Sequence, residues 1–237
     1  MLNRNLWIAF TLVLFIGCGG PQPTPPAPAP EPPAAPAVET PATPPAPEPP
    51  PAPAEPEKPA LKTPANLQAA YAGETNAIAR YKAFAETADK EKYKTVAVLF
   101  RAAARAEEIH SKNIGDTITA QGGTPVAGTE TPVVKTTAEN VKAALAGESA
   151  ERDTTYPGFA ATAEEEGNTA AVRLFKGIAE VEAQHARLYQ KVDKDLPNWK
   201  KAKTEFWLCT VCGNVMTASK NACSVCATDP STFEEIK

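Results

Sequence analysis

From Thr63 to about Pro197 the chain falls into four long stretches in which alanine and unbranched side chains dominate, a composition that favours helix over strand. The first opens at "TPANLQ", with Thr63 at the N-cap and Pro64 as the first helical residue, and runs to about Ala88. The second runs from about Tyr93 to "QGG" at 121–123, where two glycines stop it. After the loop "TPVAGTETPVVK", the third opens at "TTAE", where Thr136 and Glu139 predict a capping box, and continues to "EEEG". The fourth starts near Asn168 and ends before Pro197. Four antiparallel helices with one longer crossover after the second predict an all-α four-helix bundle over residues 61–197.

The pattern repeats. "LFRAAARAEEIH" (99–110) and "LFKGIAEVEAQH" (174–185) both begin Leu-Phe, carry Glu seven residues after the Phe and His three residues later, and consume both histidines of the chain. Upstream, "AYAGETNAIARYKAFAE" (70–86) answers "ALAGESAERDTTYPGFAA" (144–161), so the bundle reads as a duplicated helical hairpin. Glu74 and Glu107 are 33 residues apart, whereas Glu148 and Glu182 are 34 apart. The surplus residue falls between Glu148 and Tyr156 and predicts a π-bulge there, next to the disturbance that Pro157 adds.

Candidate chemistry changes the picture most at these repeats. Glu and His at i and i+3 project from one side of a helix, so Glu107/His110 and Glu182/His185 each offer a carboxylate and an imidazole. Glu74 and Glu148 stand at matching positions on the other two helices. Glu from two helices with Glu-x-x-His from the other two is the ligand set of carboxylate-bridged di-iron and di-manganese sites. Carboxylates crowded in a low-dielectric core repel and take up protons unless divalent cations neutralise them. The competing reading, Glu–His pairs on solvated helix surfaces, leaves the matched spacing in both halves unexplained. The run "EEE" at 164–166 reads as a solvated helix end without a role.

The tail "FWLCTVCGNVMTASKNACSVC" places Cys209, Cys212, Cys223 and Cys226 as C-x2-C-x10-C-x2-C, a four-thiolate signature for one tetrahedral metal. A pair of disulfides is the alternative. A segment of this size (204–237) has too small a core to hold without some staple. Sulfur-only ligation admits iron or zinc.

On these motifs the chain resembles rubrerythrin across nearly all of Leu61 to Lys237. The resemblance implies a ferritin-like bundle followed by a rubredoxin-like domain. It implies seven di-iron ligands: Glu74, Glu107, His110, Glu148, Glu151, Glu182 and His185. Glu107 and Glu182 would bridge the metals, and Glu151 would exchange with His110 at one iron on reduction. Glu151 has no partner in the first hairpin, where Ala77 occupies its place. Tyr81 and Tyr156 match family tyrosines that hydrogen-bond ligand carboxylates, although packing residues would look the same in sequence. The tail would carry a third iron, with Phe206 and Trp207 leading into it; "CSVC" lacks the proline common in rubredoxins, which leaves zinc open. The implied activity is a peroxidase that reduces hydrogen peroxide to water, with electrons passing through the four-cysteine iron between the subunits of a homodimer. A ferroxidase and a tethered metal-binding protein with structural zinc are the alternatives.

Composition then places the bundle. Most of the 25 prolines lie between Pro21 and Pro59, in a tract without aromatic residues that cannot bury enough surface to offset its ordering entropy. Residues 19–60 therefore read as an extended tether reaching on the order of 100 Å, at about 3.1 Å per residue. Ahead of it, an apolar run from Leu6 to Gly17 is too short to span a bilayer comfortably and fits an export signal over residues 1–18. Cys18 after "FIG" resembles a bacterial lipobox, with Phe15 where leucine is usual, and predicts lipidation; an uncleaved anchor with an incidental cysteine is the other reading. Either way the folded part is expected outside the cytoplasmic membrane and tied to it, on the periplasmic face or the cell surface, where its electrons must come from an extracytoplasmic donor. A net charge of −4 and a pI near 5.4 give no electrostatic case for nucleic acid.

Overall fold

The computed structural model describes residues 60–217 and 221–237. The expected signal peptide, Cys18 and all of the expected tether but its last residue lie outside the described residues. Eight elements build the helical part and the start of the tail. α1 (Thr63–Lys90) and α2 (Lys94–Ala120) form one hairpin; α3 (Thr137–Ala150), a π-helical turn (Glu151–Thr155), α4 (Tyr156–Glu165) and α5 (Thr169–Lys194) form the second. The π turn lies where the surplus residue of the second repeat requires it. A short α6 (Leu196–Trp199) crosses the expected bundle boundary at residue 197 and leads to β1 (Phe206–Cys209). With β2 (Val215–Met216) and β3 (Phe233–Ile236), β1 forms an antiparallel sheet of order β2-β1-β3, in which Trp207 pairs with both Met216 and Glu235. Bundle and tail pack as one compact unit.

The starts of α3 and α5 and the end of α2 carry local caps, whereas the start of α1 is an exception. Thr136 caps α3 in the predicted box: its hydroxyl accepts from the Glu139 amide at 3.3 Å, and the Glu139 carboxylate accepts from the Thr136 amide at 3.3 Å. Asn168 caps α5 by accepting from the Ala171 amide at 3.1 Å. At the end of α2, Gly122 takes φ +81° and the Gly123 amide reaches back to the Ile118 carbonyl at 2.9 Å. The exception is α1. Thr63 is not its cap: the helix begins at Thr63, and the Glu166 carboxylate accepts from the amides of Lys62 (2.6 Å) and Thr63 (2.9 Å). Glu166 thus satisfies amide groups that a local cap would otherwise take, and its negative charge lies at the positive end of the helix dipole. The "EEE" run therefore has a role after all, supplied by its last member.

The crossover between α2 and α3 is strapped along α1. Val126 accepts from the Gln68 side chain at 2.6 Å, Gly128 donates to Thr75 Oγ1 at 2.8 Å, and Glu130 donates to Asn76 Oδ1 at 3.1 Å. A side chain at Gly128 would collide with Asn76 and the Ala72 carbonyl, so this approach requires glycine.

The core is split into two apolar clusters. One holds Tyr81, Phe84, Val96, Phe100, Val141, Ala144, Leu188 and Tyr189, together with Phe206 and Leu208 of the tail. The other holds Leu67, Ile114, Ile118, Tyr156, Ala163 and Phe175. The change from one cluster to the other falls at a buried ionisable residue: Glu74 on α1, His110 on α2, Glu148 between α3 and α4, and Glu182 on α5. The bundle is thus two hydrophobic layers with an ionisable layer between them. Because α3 must deliver Glu148 to that layer, its start matters. Thr136→Ala should lower stability by about 1 kcal/mol without changing the far-ultraviolet helix signal, as urea denaturation would measure.

Candidate metal centre

The middle layer is closed to solvent. Glu74, Glu107, His110, Glu148, Glu182 and His185 are each at most 1% exposed. Their ligand atoms gather into two groups in which all atoms lie within 4.8 Å of one another: Glu74, Glu107, His110 and Glu182, and Glu107, Glu148, Glu182 and His185. Glu107 and Glu182 belong to both groups, the position of a bridging carboxylate. Glu151, the first residue of the π turn, is half-buried beside the layer and belongs to neither group. At that one position the structure leaves a ligand implied by the resemblance outside the cluster.

The histidines reveal what the layer needs. His110 Nε2 lies 3.0 Å from the Cys212 carbonyl, and His185 Nε2 lies 3.2 Å from the Gly213 carbonyl. A carbonyl only accepts, so both Nε2 atoms carry hydrogen and each Nδ1 presents a lone pair when the ring is neutral. Those Nδ1 atoms face carboxylates: His110 lies 2.7 Å from Glu107 and 3.0 Å from Glu182, and His185 lies 2.8 Å from Glu182 and 3.4 Å from Glu148. A lone pair directed at a carboxylate repels it, so a proton or a metal cation must stand between them. Glu74 Oε2, Glu107 Oε2, Glu148 Oε2, Glu182 Oε1 and His110 Nδ1 are buried without a hydrogen-bond partner. Orphaned atoms of this kind are costly in a protein interior. Their convergence, and the mix of oxygen and imidazole nitrogen, fit a pair of divalent transition-metal ions.

Outer contacts hold the ligands in place. Tyr81 donates to Glu148 Oε1 at 2.5 Å, and Tyr156 donates to Glu74 Oε1, so the tyrosine of each hairpin orients the acid of the other. Gly213 sits where a Cβ would come within 2.7 Å of His110 Nε2, and its φ of +82° excludes other residues independently. Sequence reading did not find this contact; the glycine after Cys212 was its only local signal. Tyr189 was also missed. It is fully buried, its hydroxyl has no hydrogen-bond partner among the described residues, and such a burial costs about 1–3 kcal/mol.

The tail supplies a second centre. Its four cysteines are free thiols, with Cys209 and Cys226 sulfurs 3.5 Å apart and Cys212 and Cys223 sulfurs 3.6 Å apart. That is far from a disulfide, and close to the roughly 3.8 Å edge of a tetrahedron with about 2.3 Å metal–sulfur bonds. The two knuckles repeat each other: the Gly213 amide donates to the Cys209 carbonyl and the Ala227 amide to the Cys223 carbonyl, both at 2.9 Å, with positive φ at Gly213 and Ala227. Asn214 Nδ2 also approaches Cys223 Sγ at 3.5 Å.

The sequence profile of the family described as rubrerythrin matches residues 65–193. The chain belongs to the rubrerythrin family. It is 37% identical over 183 residues to rubrerythrin from Porphyromonas gingivalis, covering 74% of this chain and 90% of that protein. It is 35% identical to nigerythrin from Nitratidesulfovibrio vulgaris, covering 71% and 83%. A solved structure of nigerythrin in its fully reduced, all-ferrous state superposes with a TM-score of 0.70 at 32% identity, covering 77% of this chain and 90% of that one. A bacterioferritin from Desulfovibrio desulfuricans, solved with its di-iron site in different catalytic states, matches the helical architecture with a TM-score of 0.55 at 27% identity. The ferritin-like fold with a rubredoxin-like tail is therefore that of the family, and the donor sets for its di-iron and four-cysteine centres are both present.

Within the chain, the four-cysteine knuckle touches both ligand histidines. The linker after α5 turns back, and Thr95 fixes it by donating to the Ala202 carbonyl at 2.5 Å. Asn113 then donates to the Val211 carbonyl at 3.1 Å, Arg105 pairs with Glu234 at 3.0 Å, and Arg101 donates to the Lys237 carbonyl at 2.9 Å.

The layer's own charges set how metal binding depends on pH. Burial, with Glu107 adding to it, pushes Glu74 well above the ordinary carboxylate range, and burial with Glu182 raises Glu148 to about 8. Burial would lower both histidines, but the carboxylates, Glu182 foremost, outweigh it and raise them well above the usual imidazole value. Burial would also raise Glu182, yet His110 and His185 hold it below the usual range. Raised groups keep their protons at neutral pH, and cations must displace them. Metal uptake should therefore release protons, and affinity should fall as pH drops through about 8. Weakly buffered titration with a pH indicator, repeated at about pH 6 and about pH 9, measures both; an affinity independent of pH would contradict this account.

Proposed function

We propose that this protein is a di-iron peroxidase that reduces hydrogen peroxide to water, with electrons delivered through an iron held by Cys209, Cys212, Cys223 and Cys226. The observation that carries the reading is the pair of contacts from His110 and His185 to the Cys212 and Gly213 carbonyls. A ligand of each metal set is thereby joined to the four-cysteine knuckle by one hydrogen bond. A tail that served only its own fold would not need to seat its metal-binding turn on both histidines.

The layer's carboxylates and imidazoles would hold two irons, which when bound would supply the two electrons needed to cleave the O–O bond. Glu107 and Glu182, being shared by the two donor groups, would hold both ions. Tyr81 and Tyr156 keep Glu148 and Glu74 from swinging as charge changes. His110 stands inside the cluster while Glu151 stands beside it, which fits the reduced arm of the ligand exchange implied by the resemblance. Glu151 is then the carboxylate free to move in when positive charge on the site rises, or to hold a proton for the departing oxygen. The two apolar layers exclude bulk water from these steps.

The proposal extends to the cell. The N-terminal signal, Cys18 and the proline tract support an exported lipoprotein tethered to a bacterial membrane. Cytoplasmic NADH is out of reach there, so a periplasmic carrier or a membrane quinol chain is the donor class. A homodimer belongs to the proposal as the assembly the resemblance implies, although the link between the centres is made inside each chain.

Three variants of the iron-loaded full chain test the reading. Glu107→Ala should lose the metal pair while keeping the thiolate-to-iron absorption. Cys209→Ser should keep the pair and stop peroxide turnover driven by an external reductant. Tyr81→Phe, which frees Glu148, should lower turnover about 10- to 100-fold. Oxidation of added ferrous iron by dioxygen at an undiminished rate in Cys209→Ser, with no peroxide turnover in the unaltered chain, would replace this reading with a ferroxidase.

A further inference from the structure

The duplicated hairpin provides its own control. Around Tyr81 the rings of Phe84 and Phe100 lie at centroid distances of 6.2 Å each, and around Tyr156 those of Phe159 and Phe175 lie at 6.3 and 6.0 Å. Phe84 and Phe100 are 5.4 Å apart, as are Phe159 and Phe175. Each aromatic set is completed by the residue four positions after a ligand histidine on the opposite hairpin. After His110 that residue is Ile114, packed with Tyr156 and Phe175. After His185 it is Tyr189, packed with Tyr81 and Phe100 at 6.0 and 5.5 Å. The symmetry thus holds in every aromatic neighbour and breaks at one side chain.

Packing does not account for the break. An aliphatic residue fills the matching place, whereas Tyr189 buries a hydroxyl with no partner. A phenol also differs from isoleucine in chemistry: it can lose an electron and a proton together. Tyr81 and Tyr156 have the same chemistry, but their hydroxyls are committed to ligand carboxylates, and oxidising either would release the acid it holds. Tyr189 is uncommitted, and its ring contacts Tyr81, whose hydroxyl is bonded to Glu148.

We propose that Tyr189 is an auxiliary electron and proton donor to the metal layer, used when peroxide arrives while the site holds only one reducing electron. This rests on the peroxidase reading. A four-cysteine iron passes electrons singly, whereas peroxide reduction consumes two, so half-reduced sites must arise during refilling. The balance is H2O2 + 2 H⁺ + 2 e⁻ → 2 H2O. One electron comes from the half-reduced site. The second leaves Tyr189 through the Tyr81 ring, and the Tyr189 O–H bond breaks. Its proton passes to the carboxylate layer and is one of the two consumed; the other comes from solvent. A neutral phenoxyl remains on Tyr189, and an electron from the four-cysteine iron with a proton from solvent restores the phenol. Without such a donor, a half-reduced site would release a one-electron oxidant derived from peroxide.

The test uses full-length iron-loaded Cys209→Ser, in which refilling is blocked, poised with half an equivalent of reductant and frozen milliseconds after mixing with peroxide. Electron paramagnetic resonance should show a tyrosyl signal that narrows when ring-deuterated tyrosine is incorporated. The signal should persist in Cys209→Ser/Tyr156→Phe and vanish in Cys209→Ser/Tyr189→Phe, with iron content measured in each. Absence of the signal in Cys209→Ser, or its survival in Cys209→Ser/Tyr189→Phe, overturns the inference. Peroxide consumption by the fully reduced unaltered chain is read alongside. Consumption without a radical overturns the role of Tyr189 alone, and no consumption overturns both readings.

Discussion

Six ionisable side chains buried in the middle of an apolar bundle are the constraint on which the rest of this structure depends. Taking even one unpaired carboxylate out of water is prohibitive, and here four stand together with two imidazoles. The layers on either side are alanine, aliphatic and aromatic side chains, and Arg80, a cation whose charge reaches Glu148 and Glu151, is single against four acids. The charge must be balanced inside the layer, by protons or by cations. That requirement explains why histidine Nδ1 atoms face carboxylates and why carboxylate oxygens lack protein partners. It also explains why tyrosines are drawn in from the flanking clusters to steady the acids.

Duplication is how the sequence meets the constraint twice. One hairpin supplies a terminal acid, a shared acid, a histidine and a tyrosine; two hairpins packed crosswise supply a dinuclear set in which each tyrosine serves the other half. The halves differ where function has room to differ. The second carries the extra residue, and the π turn that absorbs it begins with Glu151, the acid that stands outside both donor groups. An α-helical register there would have fixed its position relative to Glu148 as in the first half, where Ala77 fills the matching place. The second half also carries Tyr189 in place of an aliphatic residue.

Much of this was legible in the chain because it is local or repeated. The capping box at Thr136, the glycine stop after α2 and the donor spacing on α2 and α5 all operate over five residues or fewer, and the helical period carries them directly. The π turn was legible because 33 against 34 residues is a difference internal to one sequence. What escaped was long-range. Thr63 looks like a cap because threonine before proline usually is one, but Glu166, more than a hundred residues away, reaches the same amides. The tail's docking on His110 and His185 left only a glycine as a trace, because the bonds are made by backbone carbonyls, which every residue possesses. Tyr189 escaped because its hydroxyl is notable only for what does not surround it.

The docking of the tail gives its metal two separable effects. The turn that carries the Cys212 and Gly213 carbonyls is closed by the Gly213 amide on the Cys209 carbonyl, and an ion on the four thiolates would hold it more firmly against the histidines. Any tetrahedral ion, zinc included, would therefore fix the tautomer and orientation of His110 and His185, and so help to organise the dinuclear site. Only a redox-active ion would also deliver electrons to it. Under the peroxidase reading, the choice between iron and zinc in the tail would thus decide turnover without deciding the shape of the bundle site, because both ions accept the same tetrahedral thiolate set and only one of them changes oxidation state.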